Sequence, residues 1–175
     1  KRNRAIILLS STTGLRACDI ICLKLTDIDW RKGEIRVEQR KTDQSVRLPL
    51  LGEAEAAIQD YILNARPQNH RSEFLRCAAP KTAITDASSI GTMFKDYERR
   101  AGIERQPFDG KGFHGLRRRL AKKLLVSGSP LTMVAQVLGQ EDMQSALQYL
   151  ALDTGNLKEC ALSFDGIPVE RREFQ

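Results

Sequence analysis

A mainly helical α+β domain, with a small antiparallel sheet in its first third, is the fold class that three observations predict. Apolar residues recur at helical spacing over most of the 175 residues. Two short stretches, GEIRVEQ (33–39) and SVRLPL (45–50), alternate apolar and polar residues instead, as strands with one buried face do. No repeat, low-complexity run or linker interrupts the chain, so residues 1–175 are expected to form a single domain.

The elements follow in order. RNRAIILLSST (2–12) carries an apolar stripe and is stopped near Gly14, and a second helix is expected from about Ala17 to Leu25. The two alternating stretches form an antiparallel hairpin around Thr42 to Gln44. EAEAAIQDYILNA (53–65) is a helix closed by Pro67, and Phe74 and Leu75 suit a short strand after a polar loop. Thr85 or Asp86 caps a long helix ending near Gly102, because a short oxygen-bearing side chain satisfies the first amides of a helix. After a Gly/Pro-containing loop (104–112) comes a helix from about His114 to Ser127. Ser129-Pro130 then starts another, to Leu138. Residues 142–150 and 155–163 supply two more helical stretches.

Composition narrows the class. The hydrophobic share is 41%, ordinary for a globular chain, and no apolar run approaches the roughly 20 residues that cross a bilayer. No signal peptide opens the chain, which starts at Lys1 and turns helical at once, so a fragment of a longer protein is expected. Cys18, Cys22, Cys77 and Cys160 form no CxxC pair, and with two histidines no metal site is expected. Cys18 and Cys22, one helical turn apart, read as buried thiols of a reduced, cytoplasmic protein. The net charge of +6 is concentrated: nine basic residues between Arg99 and Lys123 face only Glu104 and Asp109, a local charge of +7. Such a segment suits a polyanion, nucleic acid above all, or else a solvated helix face.

Four pieces of sequence carry candidate chemistry, and each is ambiguous alone. His114 and Arg117 are three residues apart on one helical side, where a guanidinium fork and an imidazole suit one phosphate; a chance surface pair fits as well. Arg16 follows a helix break in TTGLRACDI, with Asp19 three residues on to brace it or to form an ordinary surface pair. Lys41 stands at the hairpin tip, in reach of a ligand or simply solvated. Tyr149 falls on an amphipathic stretch with Met143, Ala146 and Leu150, the usual setting of a packing residue. A DNA-reading helix-turn-helix around Gly139 is disfavoured, because its second helix would bury Gln140, Ser145 and Gln148.

Read in order, TGLRACDI followed by LKLTDIDW, Lys41 eight residues before Pro49, HGLR, and LGQ with Tyr149 nine residues beyond Gln140 form one pattern. It resembles the catalytic domain of the tyrosine recombinases, the phage integrase family, over roughly residues 4 to 160. The resemblance implies a site-specific DNA recombinase or integrase acting on double-stranded DNA. Arg16 and Arg117 would clamp the scissile phosphate, and Tyr149 would be the nucleophile that forms a 3′-phosphotyrosine link. Lys41 would be the general acid, His114 an acid–base group or phosphate ligand, and Asp19 the brace of Arg16. Lys111, Arg118, Arg119, Lys122 and Lys123 would bind the DNA backbone. No metal, cofactor or ATP is implied.

Gln140 departs from the pattern, since the family most often has histidine, sometimes tryptophan, at this turn. Its amide still donates but cannot titrate, so slower chemistry is expected rather than a dead enzyme. That relaxed position slightly favours a phage or mobile-element integrase over a chromosomal one. The resemblance further implies a homotetramer on DNA and a monomer or weak oligomer when free, with residues 155–175 as the segment that packs on a neighbouring protomer. The family's separate N-terminal DNA-binding domain is not in this sequence, so weak, salt-sensitive DNA affinity is expected of the chain alone. The alternatives are a catalytically degenerate DNA-binding module and a type IB topoisomerase-like enzyme.

Overall fold

The computed structural model describes residues 1–39, 44–67, 72–75, 84–106 and 110–140. Helix α1 (Arg2–Thr13) runs into α2 (Ala17–Cys22) and a 3-10 turn (Leu25–Asp27). Three strands follow, β1 (Ile28–Asp29), β2 (Glu34–Gln39) and β3 (Gln44–Pro49), and then α3 (Gly52–Asn64), α4 (Ser88–Arg100), α5 (Phe113–Val126) and α6 (Leu131–Leu138). The sheet is antiparallel in the order β1-β2-β3, with Val37 opposite Val46 and Ile35 opposite Leu48.

The mainly helical α+β class and the early sheet are as expected, and the differences are local. The second helix stops at Cys22 because Leu23 is extended, and its carbonyl accepts the amide of Phe74 (2.9 Å) while Leu25 N–H donates to Ser72 (2.8 Å). That cross-chain pairing consumes the groups a longer α2 would have used. Phe74 and Leu75 are fully buried, yet among the described residues they form no strand, and the β-pairing there is a single bridge between Lys24 and Glu73. Strand β1 went unread because two residues, Ile28 and Asp29, are too few to show alternation. Asp86 binds the start of α4 as expected, accepting from the Ser88 amide (2.8 Å), although Ala87 holds the cap position itself. The stretches 142–150 and 155–163 lie outside the described residues.

The main core gathers α1, α2, the inward face of the sheet, α3 and the start of α5. Burying a Leu or Ile side chain contributes about 1.5–3 kcal/mol, so Ile6, Leu9, Ile20, Ile35 and Ile58, each at 2% exposure or less, hold these layers together. Tyr61 meets Phe74, and Phe94 meets Phe113, edge to face at 5.7 Å. A smaller cluster of Ala121, Leu125, Val134 and Leu138 joins α5 to α6. Among the described residues no helix is long and apolar enough to cross a membrane.

Candidate active site

The turn after α1 is built by its own side chains. Thr13 Oγ1 donates back to the Leu9 carbonyl (2.6 Å) and Ser10 Oγ donates forward to the Leu15 carbonyl (3.2 Å), so the chain is gripped on both sides of Gly14. Gly14 adopts φ 71°, a left-handed conformation that ends α1 as a glycine does at little cost. Leu15 plugs into the core, and Arg16 emerges extended as the residue that starts α2.

Arg117 belongs to α5, yet its guanidinium reaches this turn. Nη1 donates to the Gly14 carbonyl (2.9 Å), across 103 residues of sequence, and Nη2 donates to the Leu138 carbonyl (2.6 Å) at the end of α6. A planar fork of donors suits two carbonyls held at a fixed separation, which is why arginine rather than lysine serves here. At 2% exposure it is the largest fully buried side chain among the described residues.

Arg16 approaches from the other side. Its Nη1 donates to Gln39 Oε1 (3.1 Å) and lies 3.9 Å from Asp19 Oδ2, and its side chain is 17% exposed. Asp19 is buried and also accepts from Cys18 Sγ (3.7 Å). Burial, then the adjacent Asp19 charge, pushes the Cys18 thiol up from its ordinary value. Less thiolate at Cys18 means slower alkylation. The sequence predicts two buried thiols, but Cys18 is half-buried and Cys22 exposed. At pH 8 a maleimide should therefore label Cys22 well before Cys18, by peptide mapping; equal rates would contradict the half-buried placement of Cys18.

Gln140 follows the left-handed Gly139 (φ 57°) and is half-buried, its backbone N–H donating to the Ala135 carbonyl (2.9 Å). Arg117 thus joins the two turns, 14–16 and 138–140, that carry Arg16 and Gln140. His114 lies one turn before Arg117 on α5 and is exposed. Lys41 and Tyr149 lie outside the described residues.

The basic segment is less uniform than its charge suggests. Arg99 and Arg100 both pair with Asp96 (2.5 and 2.8 Å), and Arg105 pairs with the buried Glu98. Arg118 is half-buried and donates to the Gly110 carbonyl, and Lys111 donates to the Glu104 carbonyl (2.9 Å). Arg119, Lys122 and Lys123 are exposed on α5, with no ion pair among the described residues. The +7 of residues 99–123 is therefore partly spent on internal structure, because Asp96 and Glu98 stand just outside that window.

One residue of this neighbourhood escaped sequence reasoning. Gln39 sits at an inward position of β2, after Ile35 and Val37, and is 1% exposed. The signal was present as an amide where the alternation calls for an apolar side chain.

Comparison with known proteins gives a consistent picture. The phage integrase family model matches residues 1–155. The integrase/recombinase y4rF of Sinorhizobium fredii is 35% identical over 166 residues, 94% of this chain and 39% of that protein. Tyrosine recombinase XerA of Pyrococcus furiosus is 27% identical over 158 residues, 90% of this chain and 53% of that protein. The chain thus spans about two-fifths to half of these relatives. The structure of the XerH site-specific recombinase bound to a palindromic difH substrate shares the fold, with TM-score 0.74 and 22% identity over 94% of this chain and 46% of that one.

Proposed function

The chain belongs to the phage integrase family, and from that premise we propose that it is the catalytic part of a site-specific DNA recombinase, of phage or mobile-element origin, that works through a 3′-phosphotyrosine intermediate. The observation that carries this reading is that Arg117 ties together the turns 14–16 and 138–140, which carry Arg16 and Gln140. Two guanidinium groups and a third polar donor on joined turns suit a phosphodiester, and fixed positive charge stabilises the extra negative charge of a pentacoordinate phosphorus.

In the proposed reaction Tyr149 gives its phenolic proton to His114, its oxygen attacks phosphorus and the bond from phosphorus to the 5′-oxygen breaks. Lys41 gives its proton to that oxygen, releasing a 5′-hydroxyl. Attack by a 5′-hydroxyl of a second strand reverses the step, and because the phosphodiester energy is kept in the tyrosine link no ATP is consumed. Two arginines and a lysine supply the neutralising charge. His114 assists as a phosphate ligand or proton carrier. Arg119, Lys122 and Lys123 grip the backbone of double-stranded DNA, and Lys111 and Arg118 act there through the loop they hold. Four protomers assemble on DNA, with residues 155–175 docking on a neighbour.

The test is a pool of nicked duplexes with a randomised core, incubated with the protein at low salt, where phosphate contacts are strongest. The expected result is a protein–DNA adduct that survives detergent, maps to Tyr149 and is absent from Tyr149→Phe. An adduct in Tyr149→Phe rules out that nucleophile. DNA binding without any wild-type adduct favours a non-catalytic binding module instead.

A further inference from the structure

We propose that Gln39 is a positioning residue of this site, a neutral buried amide that sets Arg16 against the Gly139–Gln140 turn while adding no negative charge beside the arginine. This rests on the recombinase reading above.

Three observations carry it. First, Gln39 occupies an inward position of β2 at 1% exposure, where valine or isoleucine would satisfy the pattern. Burying an amide is unfavourable unless it is hydrogen-bonded, so the position calls for an explanation beyond packing. Second, its Oε1 accepts from Arg16 Nη1 at 3.1 Å. A carboxylate there would orient the guanidinium equally well but would cancel its charge, the property a phosphate site needs. Asp19, at 3.9 Å, already supplies one negative charge, and a second would leave the three side chains net negative. Third, the same amide lies directly on Gly139: a methyl group added at that glycine would overlap Gln39 Oε1, Nε2 and Cδ. The glycine therefore serves close approach as well as its left-handed backbone.

A single side chain thus touches Arg16 and the turn that presents Gln140. It is also the last residue of β2, two residues before Lys41, so the strand that places the amide also leads into the segment carrying the proposed general acid. Small displacements in such an assembly are costly, because misplacing a reacting group by an ångström lowers rates by about 10²-fold.

The experiment compares wild type with Gln39→Met, which keeps the shape and removes the acceptor, and Gln39→Glu, which keeps the acceptor and adds charge. Single-turnover adduct formation on the nicked-duplex pool is measured beside DNA affinity and thermal unfolding. The expected result is a cleavage rate lowered about tenfold in Gln39→Met and about 10²-fold in Gln39→Glu. Affinity should change less than threefold, and the Gln39→Met melting temperature should stay near wild type. The Arg16 Nε–Hε resonance should shift in both variants without DNA. If wild type forms the adduct and both variants form it at the wild-type rate, the role of Gln39 is refuted while the recombinase reading stands. A rate loss that merely follows loss of folded protein refutes it too. If wild type forms no adduct, both readings fall together.

Discussion

Gly14→Ala should destabilise the domain by about 2–5 kcal/mol and disable the site at the same time. Two independent costs combine. The left-handed backbone at φ 71° penalises any side chain by about 1–2 kcal/mol. The new methyl group would also lie 2.6 Å from Leu138 Cδ2 and 3.1 Å from Leu120 Cδ2, in a region already closed, and overpacking of this kind costs about 1–3 kcal/mol. The fold supplies its own control. Gly102 has nearly the same backbone angle, φ 69°, but nothing lies within 4 Å of an added methyl, so Gly102→Ala should show the backbone cost alone. Urea unfolding of the two variants separates the contributions. Equal destabilisation would mean that the packing of Leu120 and Leu138 over the Gly14 turn is not as tight as described. Because the Gly14 carbonyl also holds Arg117, adduct formation should fall in Gly14→Ala even where the protein remains folded.

Arg117→Ala should damage stability and chemistry together. It strands two buried carbonyl acceptors, those of Gly14 and Leu138, at about 1–3 kcal/mol each, and it empties the volume of a large, fully buried side chain. Arg117→Lys keeps the charge and most of the bulk, so it isolates the geometry. One ammonium cannot present the planar fork that meets both carbonyls, and adduct formation should fall by about 10²-fold with a smaller loss of stability. Chemical unfolding and single-turnover cleavage, run side by side, give the two readings. Wild-type cleavage by Arg117→Lys would show that charge alone matters here and that the two-carbonyl fork is incidental.

How much of this was legible beforehand varies from residue to residue. Each described helix was expected within a few residues, because apolar spacing, Gly14 and Ser129-Pro130 are local signals that act whatever surrounds them. The hairpin was equally legible from alternation in β2 and β3. The early stop of α2 was not, since it depends on Phe74 and Ser72 reaching across from a distant loop. Arg118 was read as a DNA contact from its place in an arginine run, whereas its guanidinium is engaged with the Gly110 carbonyl. A run of like charges records no directions, and helical geometry sends Arg117, Arg118 and Arg119 to three different sides.

By itself, then, the sequence determined the element order, the family resemblance and the identity of Arg16, His114, Arg117 and Gln140 as candidates. Those follow from local patterns and from residue order along the chain. Only the tertiary structure decided that Arg117 is buried between Gly14 and Leu138, that Arg16 leans on Gln39, and that Gly139 is closed against the same amide. The physical reason is that each of these contacts joins segments distant in sequence. Whether a polar group is buried and satisfied depends on what packs over it, and no local periodicity encodes that.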